Sequence, residues 1–249
     1  MNETRRCSSR RAFLRLGGGL ALAAAAAPLP APAQTAAARR MNIGVVGSGK
    51  IGGAVGGRWV KAGHQVLFSS RHPEALSPLV QSLGPRAQAG SVKDAIAFGE
   101  VVLLAVPYAA LPEVGREHAA ALAGKFVLDA CNPIAARDGD IVKEAMANGI
   151  GATSLKYLPG ARLVRVFDSV GYRNFEGDPQ PASGGEPIGM PLAGDDAEAV
   201  RIASALVRDT GLEPVVVSLA RAMDFAPGTP LFGKALPVSE LRAKLGVAQ

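Results

Sequence analysis

The sequence predicts a doubly wound α/β protein with a mostly parallel sheet in a single domain. Three observations carry this expectation. From Met41 onward, short β-rich runs alternate with helix-like segments. One run, "VVLLAVP" (101–107), is apolar without a break, as in a parallel strand covered on both faces. Finally, "VGSGKIGGAVGGRWVKAG" (46–63) places seven glycines where a helix is otherwise expected, at about 1 kcal/mol per interior glycine relative to alanine.

The elements follow in chain order. "NIGVV" (42–46) is the first strand, and "GSGKIGGAVGGRWVKAG" (47–63) a turn and small-residue helix. "HQVLFSS" (64–70) is strand-like and "SVKDAIAF" (91–98) helical, followed by the apolar strand at 101–107. "YAALPEVGREHAAALAG" (108–124) is a helix expected to break near Pro112. "KFVLDACNP" (125–133) is a strand ending in a turn at Asn132-Pro133. "EGDPQPASGGEPIGM" (176–190) is too rich in Pro, Gly and Ser for regular structure, and reads as a lid or a plain connection. "DAEAVRIASALVRDTG" (196–211) has acids at its start, basic residues near its end and a terminal glycine, the marks of a helix. "LEPVVV" (212–217) is a late strand, and 218–249 a loop with a short helix.

The chain of 249 residues has a formal net charge of +6, but five arginines and a single acid fall in its first 33 residues. The remainder carries 22 basic and 20 acidic residues, a net charge of +2, which removes the main support for a nucleic-acid partner. The first 33 residues read as an export signal. "SSRRAFLRL" (8–16) has paired arginines, an uncharged "GGGLALAAAAAPL" follows, and "APA" (31–33) has the small-x-small form of a cleavage site. The pattern resembles a twin-arginine signal. It implies a signal at 1–33, a linker at 34–40 and a mature domain at 41–249 that works in the periplasm. The apolar run is too short to span a bilayer, so no stable membrane span is expected after cleavage. Beyond Cys7 only Cys131 remains, so no internal disulfide is expected. His64, His72 and His118 lack metal-ligand spacing, and no metal is expected.

Gly47, Gly49 and Gly52 form G-x-G-x-x-G directly after the first strand and at the opening of a helix. In that context the motif marks a Rossmann-type dinucleotide site. Gly47 makes the turn, Gly49 admits the pyrophosphate, and Gly52 lets helix and strand pack closely. An NAD site places an acid about 20 residues on. Here "SSRH" (69–72) stands in its place, and no carboxylate occurs between Lys50 and Arg71. Hydrogen-bond donors and a guanidinium suit a 2′-phosphate, so NADP is the expected cofactor. Arg71 and His72 as plain solvated turn residues are the alternative.

"IGVVGSGKIGGAVGGRWVKAGHQVLFSSR", "VVLLAVPY", "LDACNPI" and "PLAGDDAEAVRIASALVRDTGLEPV" resemble the NADPH-dependent reductases of the deazaflavin coenzyme F-420 and their dinucleotide-binding relatives. The resemblance extends from Met41 to about Gly233. It implies cofactor contacts from Ser48, Lys50 and Ile51 in the first turn, from Ser70 and Arg71, and from Val106, Pro107 and Tyr108. Family members often read "AFN" where this chain has Val166-Phe167-Asp168, and they often carry a further basic residue soon after the Ser-Arg pair. The chemistry implied is hydride transfer between the nicotinamide and a deazaflavin-like or small-molecule acceptor. Such a transfer requires no side-chain acid or base. Tyr108, Asn132 and Asp168 are the polar candidates to face the reaction. Their plain alternatives are capping the sheet, starting a turn and capping a loop. The other function class is a non-catalytic dinucleotide-binding module or sensor. Expected partners are a small-molecule substrate, the twin-arginine machinery and, as an option for assembly, a second copy in a homodimer.

Overall fold

A computed structural model describes residues 39–248. The segment read as an export signal and most of the expected linker lie outside the described residues. Eight strands form one sheet: β1 (Asn42–Val46), β2 (Gln65–Ser69), β3 (Ala87–Gly90), β4 (Val101–Leu104), β5 (Phe126–Asp129), β6 (Arg162–Arg165), β7 (Gly189–Ala193) and β8 (Glu213–Val217). Their order is β3-β2-β1-β4-β5-β6-β7-β8. All neighbours are parallel except β6 and β7, which meet antiparallel through the single pairing Arg165↔Ala193. The first six strands have the Rossmann order, whose topological switch lies between β1 and β4.

Nine α-helices are described: α1 (Lys50–Lys61), α2 (Ser77–Leu83), α3 (Val92–Phe98), α4 (Leu111–Leu122), α5 (Ala135–Asp138), α6 (Ile141–Asn148), α7 (Ile150–Tyr157), α8 (Ala197–Arg208) and α9 (Val238–Leu245). The sheet is covered on both faces. Alternate strand residues feed two cores: Val45, Leu103, Leu128 and Val164 join Trp59 of α1 and Leu206 of α8. Val46, Leu104, Val127 and Leu163 join Leu111 of α4 and Ile150 of α7. This is why β4 is apolar at every position; the strand expected at 101–107 ends at Leu104, and 105–107 form the loop after it. Side chains then lock α1 to α8, because the Trp59 indole N–H donates to the Leu206 carbonyl at 2.8 Å.

Two expectations need refinement. The run 108–124 is divided close to Pro112, into a 3-10 turn at Tyr108–Ala110 and α4 from Leu111, and the proline falls in the first turn of α4, where its missing N–H is no loss. The segment 176–190 is not irregular to its end, since β7 already starts at Gly189 and a 3-10 turn covers Ser183–Gly185. The helix at 196–211 is present as α8, capped by the Asp196 carboxylate, which accepts from the N–H groups of Glu198 and Ala199.

Candidate functional site

β1, β2 and β4 end level with one another, Val46 lying opposite both Ser69 and Leu104. The loops that follow therefore converge on one point of the sheet edge. Gly47 turns the chain there with φ +93°, and a Cβ on it would stand 2.6 Å from the Ala105 carbonyl oxygen. A Cβ on Gly52 would stand 2.1 Å from the Gly47 oxygen, so only glycine lets α1 begin this close to β1. Gly49, the N-cap of α1, differs: nothing lies within 4 Å of where its Cβ would be. It supplies no capping side chain, and the first turn of α1 holds no acid. The early N–H groups of α1 thus face open space under a positive helix terminus, an arrangement suited to phosphate.

A cleft of about 540 Å³ opens at this point, lined by Gly47, Ser48, Gly49, Ser70, Arg71 and the loop after β4, with Glu113, Glu117 and His118 of α4 on its far wall. Ser48 clips the two glycine-side loops together. Its hydroxyl and its backbone N–H both donate to the Ser69 carbonyl, at 3.0 and 3.1 Å. The Ser70 hydroxyl accepts from the His72 N–H at 3.1 Å. The Arg71 guanidinium is exposed and has no hydrogen bond or ion pair among the described residues. The first carboxylate after it, Glu74, leans on His72 at 3.4 Å. A second cleft of about 310 Å³ is lined by Lys50, Ile51, Ala130, Asn132, Ile134 and Arg137. Both clefts share Ala105, Val106 and Pro107, so they form one groove across the carboxyl ends of the central strands. An elongated ligand with phosphates in its middle fits such a groove, the phosphates lying at the α1 terminus.

Three predicted site residues line neither cleft. Gly52 is spent on the contact of α1 with β1. Tyr108 is fully buried, its hydroxyl donating to the Ile150 carbonyl at 2.9 Å and lying 3.2 Å from the Ser154 hydroxyl. Burial holds its phenol well above the ordinary value, and its hydroxyl ties the 3-10 turn at Tyr108–Ala110, just before α4, to the start of α7. Asp168 is buried on Arg165, itself fully buried. The Arg165 guanidinium donates to Asp129 and to Asp168, each at 2.7 Å, to the Cys131 carbonyl at 3.0 Å and to the Asn132 side-chain oxygen at 3.4 Å. Burial pulls the guanidinium down, but Asp129 and Asp168 together outweigh it and hold it above its ordinary value. Burial pushes the Asp168 carboxyl up to about 6; Arg165 opposes this and Asp129 adds to it. The cluster fixes Asn132, whose amide also donates to the Asp168 carbonyl. Phe167, between them, takes φ +63°, a strained conformation for a bulky residue.

Sequence reasoning missed Arg165 and Arg137. Arg165 had a signal: a cation between two apolar residues of a strand, followed three residues later by an acid. A charge inside an apolar run needs a partner. Arg137 reaches the groove only because the turn after Pro133 folds back, and nothing in its surroundings marks that. Among the described residues, no group of three or more His, Cys, Asp or Glu is arranged to hold a metal.

Residues 42–133 match the family model described as NADP oxidoreductase coenzyme F420-dependent. Over 186 residues the chain is 27% identical to rat metalloreductase STEAP3, covering 73% of this chain and 35% of that protein. The chain thus spans about a third of the curated relative it matches. Among solved structures it resembles the hypothetical protein SMa0349 of Sinorhizobium meliloti, at 27% identity and a TM-score of 0.68 over 79% of this chain and 95% of the other. It also resembles a protein of Arthrobacter sp. FB24 provisionally described as an F420-dependent NADP-reductase. That pair shares 23% identity with a TM-score of 0.63, over 73% and 87% of the two chains. The last likeness bears on the fold alone, which is the Rossmann-type dinucleotide-binding fold.

Proposed function

We propose that the chain is an NADP-dependent oxidoreductase that moves a hydride between the nicotinamide and an organic acceptor. The observation that carries this is Arg71, an exposed guanidinium with no partner among the described residues, in the same cleft as an open α1 terminus, with Ser69 and Ser70 where an NAD site would hold an acid. The match of residues 42–133 to an NADP oxidoreductase model supports it. In this reading the N–H groups from Gly49 to Ile51 take the pyrophosphate, and Ser70 and Arg71 take the 2′-phosphate. Val106 and Pro107 form the apolar floor of the groove. The bound dinucleotide supplies the hydride. The chain's part is to orient, to exclude water and to fix Asn132 through Arg165 and Asp168. The test is oxidation of NADPH by a panel of quinones, flavins and imines, with NADH alongside. Turnover of NADPH in preference to NADH supports the reading; binding without turnover of any acceptor supports the sensor alternative instead.

The metalloreductase relative raises the question of a metal ion as acceptor. A hydride carries two electrons and a ferric ion takes one, so direct transfer would need a mediator. An organic two-electron acceptor is therefore the simpler partner for this groove.

We also propose that the protein is exported by the twin-arginine route, from the motif at 8–16 and the cleavage pattern at 31–33. Such systems carry folded proteins, which fits a chain that acquires its nucleotide before export. Replacing Arg10 and Arg11 with lysine should abolish periplasmic accumulation in cell fractions; normal accumulation rejects the proposal.

A further inference from the structure

We infer that the acceptor taken by the second cleft is an organic anion: an apolar body bearing a carboxylate or a comparable acidic oxygen group. The inference rests on the oxidoreductase reading and names the substrate class for the same groove. Two residues lining this cleft, Lys50 and Arg137, are cations, and none is a carboxylate.

Arg137 is already pinned. Its Nε and Nη2 donate to the two carboxylate oxygens of Asp138, at 3.0 and 2.8 Å, and Nη2 also donates to the Asn132 carbonyl at 2.8 Å. Asp138 is buried, and its oxygens are further occupied by the N–H groups of Ile134 at 2.8 Å and Ala109 at 3.3 Å. The Nη1 edge of the guanidinium has no partner among the described residues, and the side chain is 47% exposed. A planar fork held on one edge and open on the other loses little freedom when it takes an oxygen anion. Asp138 offsets one positive charge, yet its oxygens are spent inward.

The second cation has no such offset. The Lys50 ammonium lies 5.2 Å from the centre of the Tyr172 ring, with no carboxylate in ion-pair range among the described residues. Tyr172 is held there because the buried Arg58 of α1 donates to the Phe175 carbonyl at 2.8 Å, which docks the 172–175 turn on α1. Ile51, Val106 and Pro107 give the cleft apolar walls, and Asn132 keeps one amide N–H beyond those used on Asp168. The phosphates of the dinucleotide have their donors at the α1 terminus and Arg71. Arg137 comes from the loop after β5 and is left for the acceptor. A free metal cation would meet two positive charges and no carboxylate.

The test titrates the NADP+-loaded full chain by calorimetry with 2-naphthoate and with its neutral amide, 2-naphthamide. The naphthoate should bind about tenfold more tightly at low salt, as expected when an anion meets a charged donor pair. Arg137→Gln should bring the two ligands to about the same affinity, Arg137→Lys should keep part of the preference, and added potassium chloride should narrow it in the parent. NADP+ affinity should be the same in parent and variants. Equal binding of the two ligands by the parent, or a preference that survives in Arg137→Gln, overturns the inference. Should Arg137→Gln fail to fold, the Arg137→Lys variant and the salt series decide it. A parent that takes up no NADP+ overturns the oxidoreductase reading instead. The pair is then titrated against the nucleotide-free chain, and the absence of a naphthoate preference there overturns this inference too.

Discussion

Arg71 and Asp168 carry opposite kinds of charge problem. Arg71 is exposed and has no partner among the described residues, so its charge is available to a ligand. Arg71→Ala should weaken NADPH binding by about 1.5–3 kcal/mol, the range for a hydrogen bond to a charged group, with NADH affinity nearly unchanged. Titration calorimetry with both nucleotides checks this; equal losses argue against a 2′-phosphate contact. Asp168 shares a dry site with Asp129 and a single guanidinium. Its folded value of about 6 lies above the ordinary 3.8. Between those values the folded state holds a proton that the unfolded chain has released. The group's contribution to stability is therefore full below pH 4 and is lost as pH rises through 6. Asp168→Asn removes the titration, so urea unfolding should show the parent losing ground to the variant between about pH 4 and pH 6, with the gap levelling off above that. A gap that stays constant with pH would refute the assignment. Asp168 itself was legible only as a polar residue past a strand. That it serves Arg165 was signalled only by the spacing of a cation in an apolar run and an acid three residues on; the strained turn at Phe167, through which the two meet, carries no such mark.

At the scale of the element, two glycines of one motif do separable work. Gly52 is closed in by backbone, whereas Gly49 looks into open space. Gly52→Val should force α1 away from β1 and lower the melting temperature even without nucleotide. Gly49→Val should leave the nucleotide-free melting temperature close to the parent and abolish the upward shift that NADPH produces. Thermal melts of both variants with and without NADPH separate the roles; a nucleotide shift retained by Gly49→Val would contradict the phosphate cradle. The motif, the strands around it and α8 were legible because period, glycine spacing and caps agree there. β3 was not: "AQAG" is a half-exposed edge strand without an apolar signature. The run α5 to α7 was hidden by short helices of 4, 8 and 8 residues separated by glycines. The groove was half legible. Its phosphate side follows from backbone rules, but its acceptor side is assembled by side chains from distant turns.

For the whole molecule, ligand and fold are linked by mass action. NADPH at a hundredfold excess over its Kd should add about 2.7 kcal/mol to stability, measurable as a rise in the urea midpoint with unchanged slope. A midpoint indifferent to NADPH would mean that the groove does not bind it. The sheet, meanwhile, is not equally strong along its width. β6 and β7 meet at one residue pair, while β7 and β8 are paired over five. What holds the two sides together is largely side-chain work: the Trp59 bond to α8, the His64 contact with Asp209 at 3.0 Å, and Arg162, which grips Asp196 and Glu198. Treated as a material, the sheet has a seam. Pulled apart by force across its strands, it should tear between β6 and β7 before any other pair yields. The nucleotide groove lies wholly on one side of that tear, so the first six strands should still grip the dinucleotide after β7, β8 and α8 have peeled away.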